Sequence, residues 1–197
     1  MGLAYDPETI AFYNSEAIAY SNASHASPHL SSFMARLRSG GAVLELGCGA
    51  GYDSEALLAA GFEVTATDGA RELAVIASRR IGRPVRVMRF DEIDAADAFD
   101  GVWANACLLH VPTASLAGVL ARIYLALRVG GVFFASFKAG DGEGRDGLGR
   151  FYNFVSEGDL RRCYGEVGPW SAMTIKDGFG GGYDGVERRW FACTAVK

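Results

Sequence analysis

From Leu37 onward, short apolar runs alternate with amphipathic stretches. That texture predicts strand, helix, strand, helix, and so an α/β fold whose parallel sheet carries helices on both faces. Val43 to Leu46 reads as a short buried strand, and Asp53 to Ala60 as a helix that Gly61 ends from just past its C-terminus. Phe62 to Thr67 predicts the second strand. Ala70 to Ile81 follows helical spacing, with Leu73, Ile76, Ala77 and Ile81 on its inner side. Pro84 to Val87 predicts a third strand, confined to an edge by its proline. Phe99 to Ala104 gives a fourth, Leu116, Val119, Leu120, Ile123 and Leu127 mark one face of a helix ending before Gly130, and Val132 to Phe137 gives a fifth.

Beyond Lys138 the texture changes. Ala139 to Asn153, AGDGEGRDGLGRFYN, is rich in Gly, Asp and Arg and reads as a mobile loop. Ser156 is placed to cap a helix through Cys163, and Trp170 to Ile175 with Arg189 to Val196 predict a final strand pair joined across Gly178 to Gly185. In the first forty residues Tyr13, Ala17 and Tyr20 share one helical face, which suits either a lid or a helix docked on the sheet.

A chain of 197 residues fits one domain. It divides into an N-terminal helical element (1–40), a central core (41–138) and a C-terminal part (139–197). Half the residues are hydrophobic and 21% are charged, the balance of a soluble globular protein. No run approaches the roughly 20 apolar residues of a membrane span, and the acids and tyrosines of the N-terminus do not suit a secretory signal. A cytoplasmic location is the expectation. Cys48, Cys107, Cys163 and Cys193 stand singly, which supports neither a disulfide framework nor a zinc site. A formal net charge of −4 gives no general attraction to nucleic acid or anionic lipid. Only Arg79, Arg80, Arg83, Arg86 and Arg89 form a local basic cluster, read as a solvated helix end and strand or as a set of phosphate contacts.

The candidate chemistry begins at VLELGCGAGY, Val43 to Tyr52. Gly47, Gly49 and Gly51 follow the first strand directly, where bare backbone lets a ligand approach closely. A dinucleotide fingerprint wants a glycine at the sixth position of GxGxxG, and here that position is Tyr52. Glu45, one strand residue before the loop, would repel a pyrophosphate and favour a cation. Both points favour S-adenosylmethionine, whose sulfonium is positive, over NAD. Asp68 closes the second strand, where a carboxylate can accept hydrogen bonds from two ribose hydroxyls or cap the helix that follows.

ELGCGAG with Val43 and Leu44, the acid of TATDG, the segment FDGVWANACLLHV and LRVGGVFFASF resemble, in order, four motifs of the class I S-adenosylmethionine-dependent methyltransferases, over roughly Leu30 to Lys138. LLHVP with ASFKAGDGEGRDGLGRFYN resembles the small bacterial tellurite-resistance-type members, a label that names no substrate. The resemblance implies a Rossmann-like seven-stranded, mostly parallel sheet of order 3-2-1-4-5-7-6 with its last strand antiparallel. It implies that Gly47, Gly49 and Gly51 pass under the methionine part of the cofactor, with Cys48 in the same loop, and that Asp68 and Gly69 meet the ribose. Arg89, Phe90 and Asp91 would border the adenine, with Arg89 or Asp91 in the slot of the usual acid, and Asn105 and Ala106 would complete the cofactor site.

Methyl transfer from a sulfonium needs position above all, and a base only if the acceptor has a proton to lose. His110 falls just past the fourth strand, where it is expected to orient the acceptor or take its proton. Tyr13, Tyr20, Tyr52 and Trp103 are aromatic candidates near the sulfonium, Trp103 being also a natural core residue. Tyr13, Tyr20, His110, Lys138, Arg150 and Tyr152 form the expected acceptor-binding set, with Arg145 in the same loop. The expected activity is methyl transfer to a small molecule, leaving S-adenosylhomocysteine. A nucleic-acid methyltransferase is the weaker reading, because Asn105 is followed by Ala-Cys-Leu and not by a proline-rich run; a cofactor-binding protein without turnover is another.

Overall fold

The computed structural model describes residues 3–197. Three short helices come first: α1 (Pro7–Ser15), α2 (Ala17–Ala23) and α3 (Leu30–Met34). The alternating body follows as β1 (Ala42–Leu46), α4 (Tyr52–Ala59), β2 (Glu63–Asp68), α5 (Arg71–Ile81), β3 (Arg86–Val87), β4 (Phe99–Ala104), α6 (Thr113–Ala126) and β5 (Leu127–Lys138). Then come β6 (Glu143–Arg145), β7 (Phe151–Asn153), α7 (Glu157–Val167), β8 (Ala172–Gly181) and β9 (Glu187–Val196).

Seven strands make one sheet of order β3-β2-β1-β4-β5-β9-β8, in which β9 runs antiparallel to both its neighbours. This is the expected connectivity; the labels of the last two strands move up because β6 and β7 form a separate hairpin. The chain order reverses between β1 and β4, so a crevice opens at their carboxyl ends. Both sheet faces are covered, which is why β1 reads as an unbroken buried run. Alternate residues of β4 feed two cores: Val102 and Ala104 join Leu120, Phe133 and Tyr164 on one face, while Trp103 joins Phe33, Leu57 and Phe134 on the other. Trp103 stacks on Phe134 at 4.3 Å and donates its indole N–H to Asp53 at 2.9 Å. It is a core residue and takes no part in the crevice.

Several boundaries move for identifiable reasons. The third strand shrinks to two residues, paired with Thr67 and Asp68, since Pro84 has no N–H to give a ladder. β5 starts five residues early, at Leu127, through a register shift opposite Phe99 to Gly101. α7 runs on to Val167 because Tyr164 extends its buried face beyond Leu160, and β8 continues through its glycines to Gly181. The N-terminal helix is interrupted at Glu16, which ends α1 and begins α2. Across that break Tyr13, Ala17 and Tyr20 still share a face, packed on Ala70 and Leu73 at the start of α5.

The segment Ala139 to Asn153 is not a loose loop. It folds into the β6–β7 hairpin, and Arg150, Tyr152 and Asn153 are 2%, 3% and 0% exposed. Arg150 becomes buriable because Asp146, four residues earlier, pairs with it at 2.6 Å. Among the described residues no helix is long and apolar enough to cross a membrane.

Candidate functional site

At the crevice, the N-terminal helices roof a cleft of about 700 Å³, its open mouth included. Its floor is the loop after β1. Gly47, Gly49 and Gly51 all hold left-handed backbone, with φ of 62°, 56° and 82°. A methyl group on Gly47 would come within 2.6 Å of Cys107, and one on Gly51 within 3.1 Å of the Ala77 backbone. Gly47 therefore lets the loop lie against the chain after β4, and Gly51 lets α4 start against α5. Gly47 and Gly49 line the cleft; Gly51 and Cys48 do not. Cys48 packs beneath the loop against Ala66 and Ala77, so these two expected cofactor contacts are structural supports.

Asp68 faces the cleft from the end of β2, with Gly69 beside it. One carboxylate oxygen accepts the Gly49 N–H at 2.8 Å and the other the Ala70 N–H at 2.7 Å, which ties the loop to the start of α5. A carboxylate has lone pairs left over for two hydroxyl donors. Burial pushes its pKa up to about 6, against the opposing effect of those two N–H groups.

Glu45 corrects an expectation. Its side chain turns away from the cleft and is hydrogen-bonded by Ser54 of α4. Burial raises its pKa to about 8, so at neutral pH it is mostly uncharged and cannot hold a cation. Tyr52 also faces elsewhere, stacked under Arg80 at 3.6 Å, while Arg80 donates to Ala50 O and braces the loop from outside.

The far wall combines Met88, Arg89 and Phe90. Arg89 bonds Tyr5 and Glu92, and its Nε lies 3.5 Å from Asp91, each of those two atoms shielded without a hydrogen-bond partner. Asp91 itself does not line the cleft. After β4, Asn105 and Ala106 do. Ala106 holds φ 52°, a left-handed conformation rare outside glycine, and the Ser136 hydroxyl accepts its N–H at 2.7 Å and donates to Asn105 at 2.8 Å. Strain of that kind needs a fixed surround, and Ser136 on β5 provides it. Next to it, Cys107 gives its S–H to Leu46 O at 3.1 Å.

His110 closes the other end. Its Nδ1 lies 2.6 Å from Phe151 O, an acceptor only, so Nδ1 carries the proton and Nε2 presents a lone pair. Tyr13 Oη lies 3.1 Å from Nε2 and accepts from Arg150 at 3.0 Å, which directs its own proton to His110. Burial pushes the His110 pKa down to about 4, helped by the nearby Arg150 and Lys138 charges, so the ring is neutral at physiological pH. Tyr13 and Tyr20 line the cleft as expected, but Lys138, Arg150 and Tyr152 stand behind it. Their burial in the hairpin and β8–β9 region places them one layer out: Tyr152 against the His110 ring at 4.7 Å, Lys138 on the Tyr152 ring at 3.9 Å, Arg150 on Tyr13.

Tyr5, Asp6, Thr9 and Ile10 also line the cleft and were not singled out. Thr9 and Ile10 lie one helical turn back along the Tyr13 face, and Tyr5 and Asp6 a second turn back, ahead of α1. They roof the site because α1 is laced to the hairpin: Asp6 pairs with Arg145 at 2.8 Å, and Thr9 Oγ1 accepts the Phe151 N–H at 2.8 Å.

Residues 43–131 match the family model described as a methyltransferase domain. Among solved structures, Burkholderia thailandensis 1,6-didemethyltoxoflavin-N1-methyltransferase, with 1,6-didemethyltoxoflavin and S-adenosylhomocysteine bound, is similar at 26% identity and a TM-score of 0.73, over 100% of this chain and 92% of that one. Over residues 43–131 the chain is thus similar to a methyltransferase domain, on a fold it shares with S-adenosylmethionine-dependent methyltransferases. The same fold recurs in a methyltransferase from Methanosarcina mazei at 17% identity and a TM-score of 0.74, over 88% of this chain and 99% of that one. It recurs too in Haemonchus contortus phosphoethanolamine N-methyltransferase 2, in complex with S-adenosyl-L-methionine, at 14% identity and a TM-score of 0.74, over 93% of this chain and 57% of that one. No curated protein sequence matches.

The cofactor is S-adenosylmethionine, as in the neighbours solved with it or its product, and the cleft fits it on its own terms. Bare left-handed backbone at Gly47 and Gly49, spare acceptor capacity on Asp68, and apolar Leu73, Met88 and Phe90 suit a nucleoside with a flat ring and a sugar.

Proposed function

We propose that this methyltransferase acts on a small organic molecule admitted under the N-terminal helices, with His110 and Tyr13 facing the acceptor. The Tyr13–His110 contact carries the reading, because it joins roof to floor at the end of the cleft where β4 stops. When bound, the cofactor supplies a methyl group on a positively charged sulfur. The chain supplies position: Asp68 and Gly69 hold the sugar, Gly47 and Gly49 admit the methionine part, and Asn105 and Ala106, fixed by Ser136, set the floor. Holding reactants in line is worth on the order of 7–11 kcal/mol. His110 Nε2 then accepts a hydrogen bond from the acceptor in place of Tyr13. With so low a pKa, His110 orients the acceptor, and it takes a proton only from an atom made acidic by methylation.

A roof sewn down by Asp6, Thr9 and Tyr13 suits a small acceptor better than a polymer, and the Burkholderia neighbour was solved with 1,6-didemethyltoxoflavin bound. The arginine cluster gives little support to nucleic acid: Arg80 and Arg89 are committed to Ala50, Tyr5 and Glu92, and Arg89 alone of the five lines the cleft. The division into a helical roof (1–40), cofactor core (41–138) and acceptor-side part (139–197) follows the same reading. The tellurite-resistance-type motifs add no acceptor to it. Four free thiols suit a reducing, cytoplasmic setting.

Transfer of a tritiated methyl group from S-adenosylmethionine, screened over a metabolite library, tRNA and genomic DNA, tests the proposal. A labelled small product is expected. Label confined to nucleic acid, or cofactor binding with no label transferred anywhere, would overturn it.

A further inference from the structure

We propose that the acceptor is a planar organic acid whose anionic group takes the place Asp184 now holds against Lys138; this rests on the reading of the cleft given above. Two buried ion pairs stand behind His110, and they differ in kind. Asp146 is saturated: its oxygens accept from Arg150 Nε at 3.0 Å and Nη2 at 2.6 Å, and from the backbone N–H groups of Leu148 and Arg150 at 3.0 Å each. That pair builds the hairpin.

Lys138 and Asp184 meet once, at 3.5 Å, the outer limit of a hydrogen bond, although the side chains are only 2% and 7% exposed. Charge-assisted pairs close to about 2.7–2.9 Å when nothing prevents it. The rest of the ammonium is covered by the faces of Tyr152 at 3.9 Å and Trp190 at 5.7 Å, and among the described residues its other N–H groups have no acceptor. Arg188 lies 3.9 Å from the same Asp184 oxygen. Three cations, Lys138, Arg150 and Arg188, thus face two carboxylates, and one positive charge is left over.

Asp184 sits at the tip of the β8–β9 connection, in the turn closed by Gly185 N–H to Gly182 O at 2.9 Å, where Gly185 holds φ 69°. Such a turn swings with little steric cost. Next to it, Tyr183 leans on Tyr20 at 5.1 Å and Phe12 at 6.2 Å, so the turn and the roof move as neighbours. The surroundings are flat: His110, Tyr13, Tyr152 and Tyr183 present ring faces or edges. A planar acid that enters as the Asp184 turn swings aside would set its ring toward His110 and its charge on Lys138, which stands behind the cleft while Asp184 covers it. Asp184 is then a carboxylate of the protein's own that stands in for the acceptor's.

Calorimetry on protein saturated with S-adenosylhomocysteine tests this, with benzoate as probe, benzamide as its uncharged isostere and sulfate as a bare anion. Benzoate should bind about tenfold or more tighter than benzamide and than sulfate. Asp184→Asn should strengthen benzoate binding, Lys138→Met should abolish the preference over benzamide, and Lys138→Arg should keep it. Equal affinity for benzoate and benzamide, sulfate binding as well as benzoate, no benzoate binding to Asp184→Asn, or weaker binding to it, would overturn the proposal. S-adenosylhomocysteine affinity in each variant reports the fold and the donor site separately. A wild-type protein that fails to bind that product would sink the methyltransferase reading, and benzoate indifference with product binding intact would sink only this one.

Discussion

On the proposed reading, the donor end of the cleft comes from one stretch of chain, Gly47 to Ala106, while the acceptor end draws on three segments far apart: α1 with α2, the β6–β7 hairpin, and the turn between β8 and β9. Parallel topology fixes the first, because each contributing residue follows the carboxyl end of a strand whose neighbours hold it. Ion pairs and tyrosine contacts hold the second. A sheet-built site tolerates little variation, and a laced one can be retied for a new substrate without disturbing the donor.

The largest test of that contrast is Asp146→Ala. It strands the Arg150 guanidinium, whose side chain is 2% exposed, and should cost about 3–5 kcal/mol in chemical denaturation. Whatever folded protein remains should bind S-adenosylhomocysteine normally. A loss of donor affinity would show that the two ends are not separable.

Asp68→Asn probes the donor end. Removing the charge from a buried acceptor should weaken S-adenosylhomocysteine binding by ~1.5–3 kcal/mol in calorimetry. The wild-type affinity should hold above the pKa of about 6 and fall as pH drops through it, because hydroxyl donors prefer the ionised carboxylate. A flat profile from pH 8 to 5 would remove Asp68 from the sugar.

Tyr13→Phe returns to the acceptor end. It keeps the ring and deletes one hydroxyl between His110 and Arg150, so kcat should fall by ~2- to 10-fold with donor affinity unchanged. An unchanged kcat would sever roof from chemistry.

The smallest effect is expected at Glu45, which belongs to neither end. Its folded pKa of about 8 lies above the unperturbed 4.5, so the stability it contributes is fully present below 4.5 and lost as pH rises through 8. Glu45→Gln should therefore raise Tm by ~2–4 °C at pH 7.5, with the gain shrinking toward pH 5. A lowered Tm would mean that the carboxylate is charged and paired after all.

The same division governs what was legible in the sequence. Val43 to Leu46, Phe99 to Ala104 and the glycines between them announce themselves locally, through apolar runs and residues with no side chain. Asp68 follows by its place at a strand end. Glu45 misleads because sequence shows the charge and not the direction: strand residues alternate, and this one faces α4. The hairpin misleads more. Arg150 looks exposed until Asp146, Tyr13 and the rings around it are brought together, and only the tertiary fold does that. Tyr13 and Tyr20 are legible as a face, but the break at Glu16 is not, since nothing in NSEAIA is a helix breaker.

A sulfonium methyl is an alkylating agent, and this protein offers it the sulfur of Cys107 on the cleft wall. A thiolate on that wall would be a competing nucleophile. Burial, with the acids Asp68 and Glu45 adding to it, holds that thiol far above its usual pKa, and its proton is given to Leu46 O. The cleft thus carries a reactive methyl past an inert sulfur, and its choice of nucleophile begins with the one it disarms.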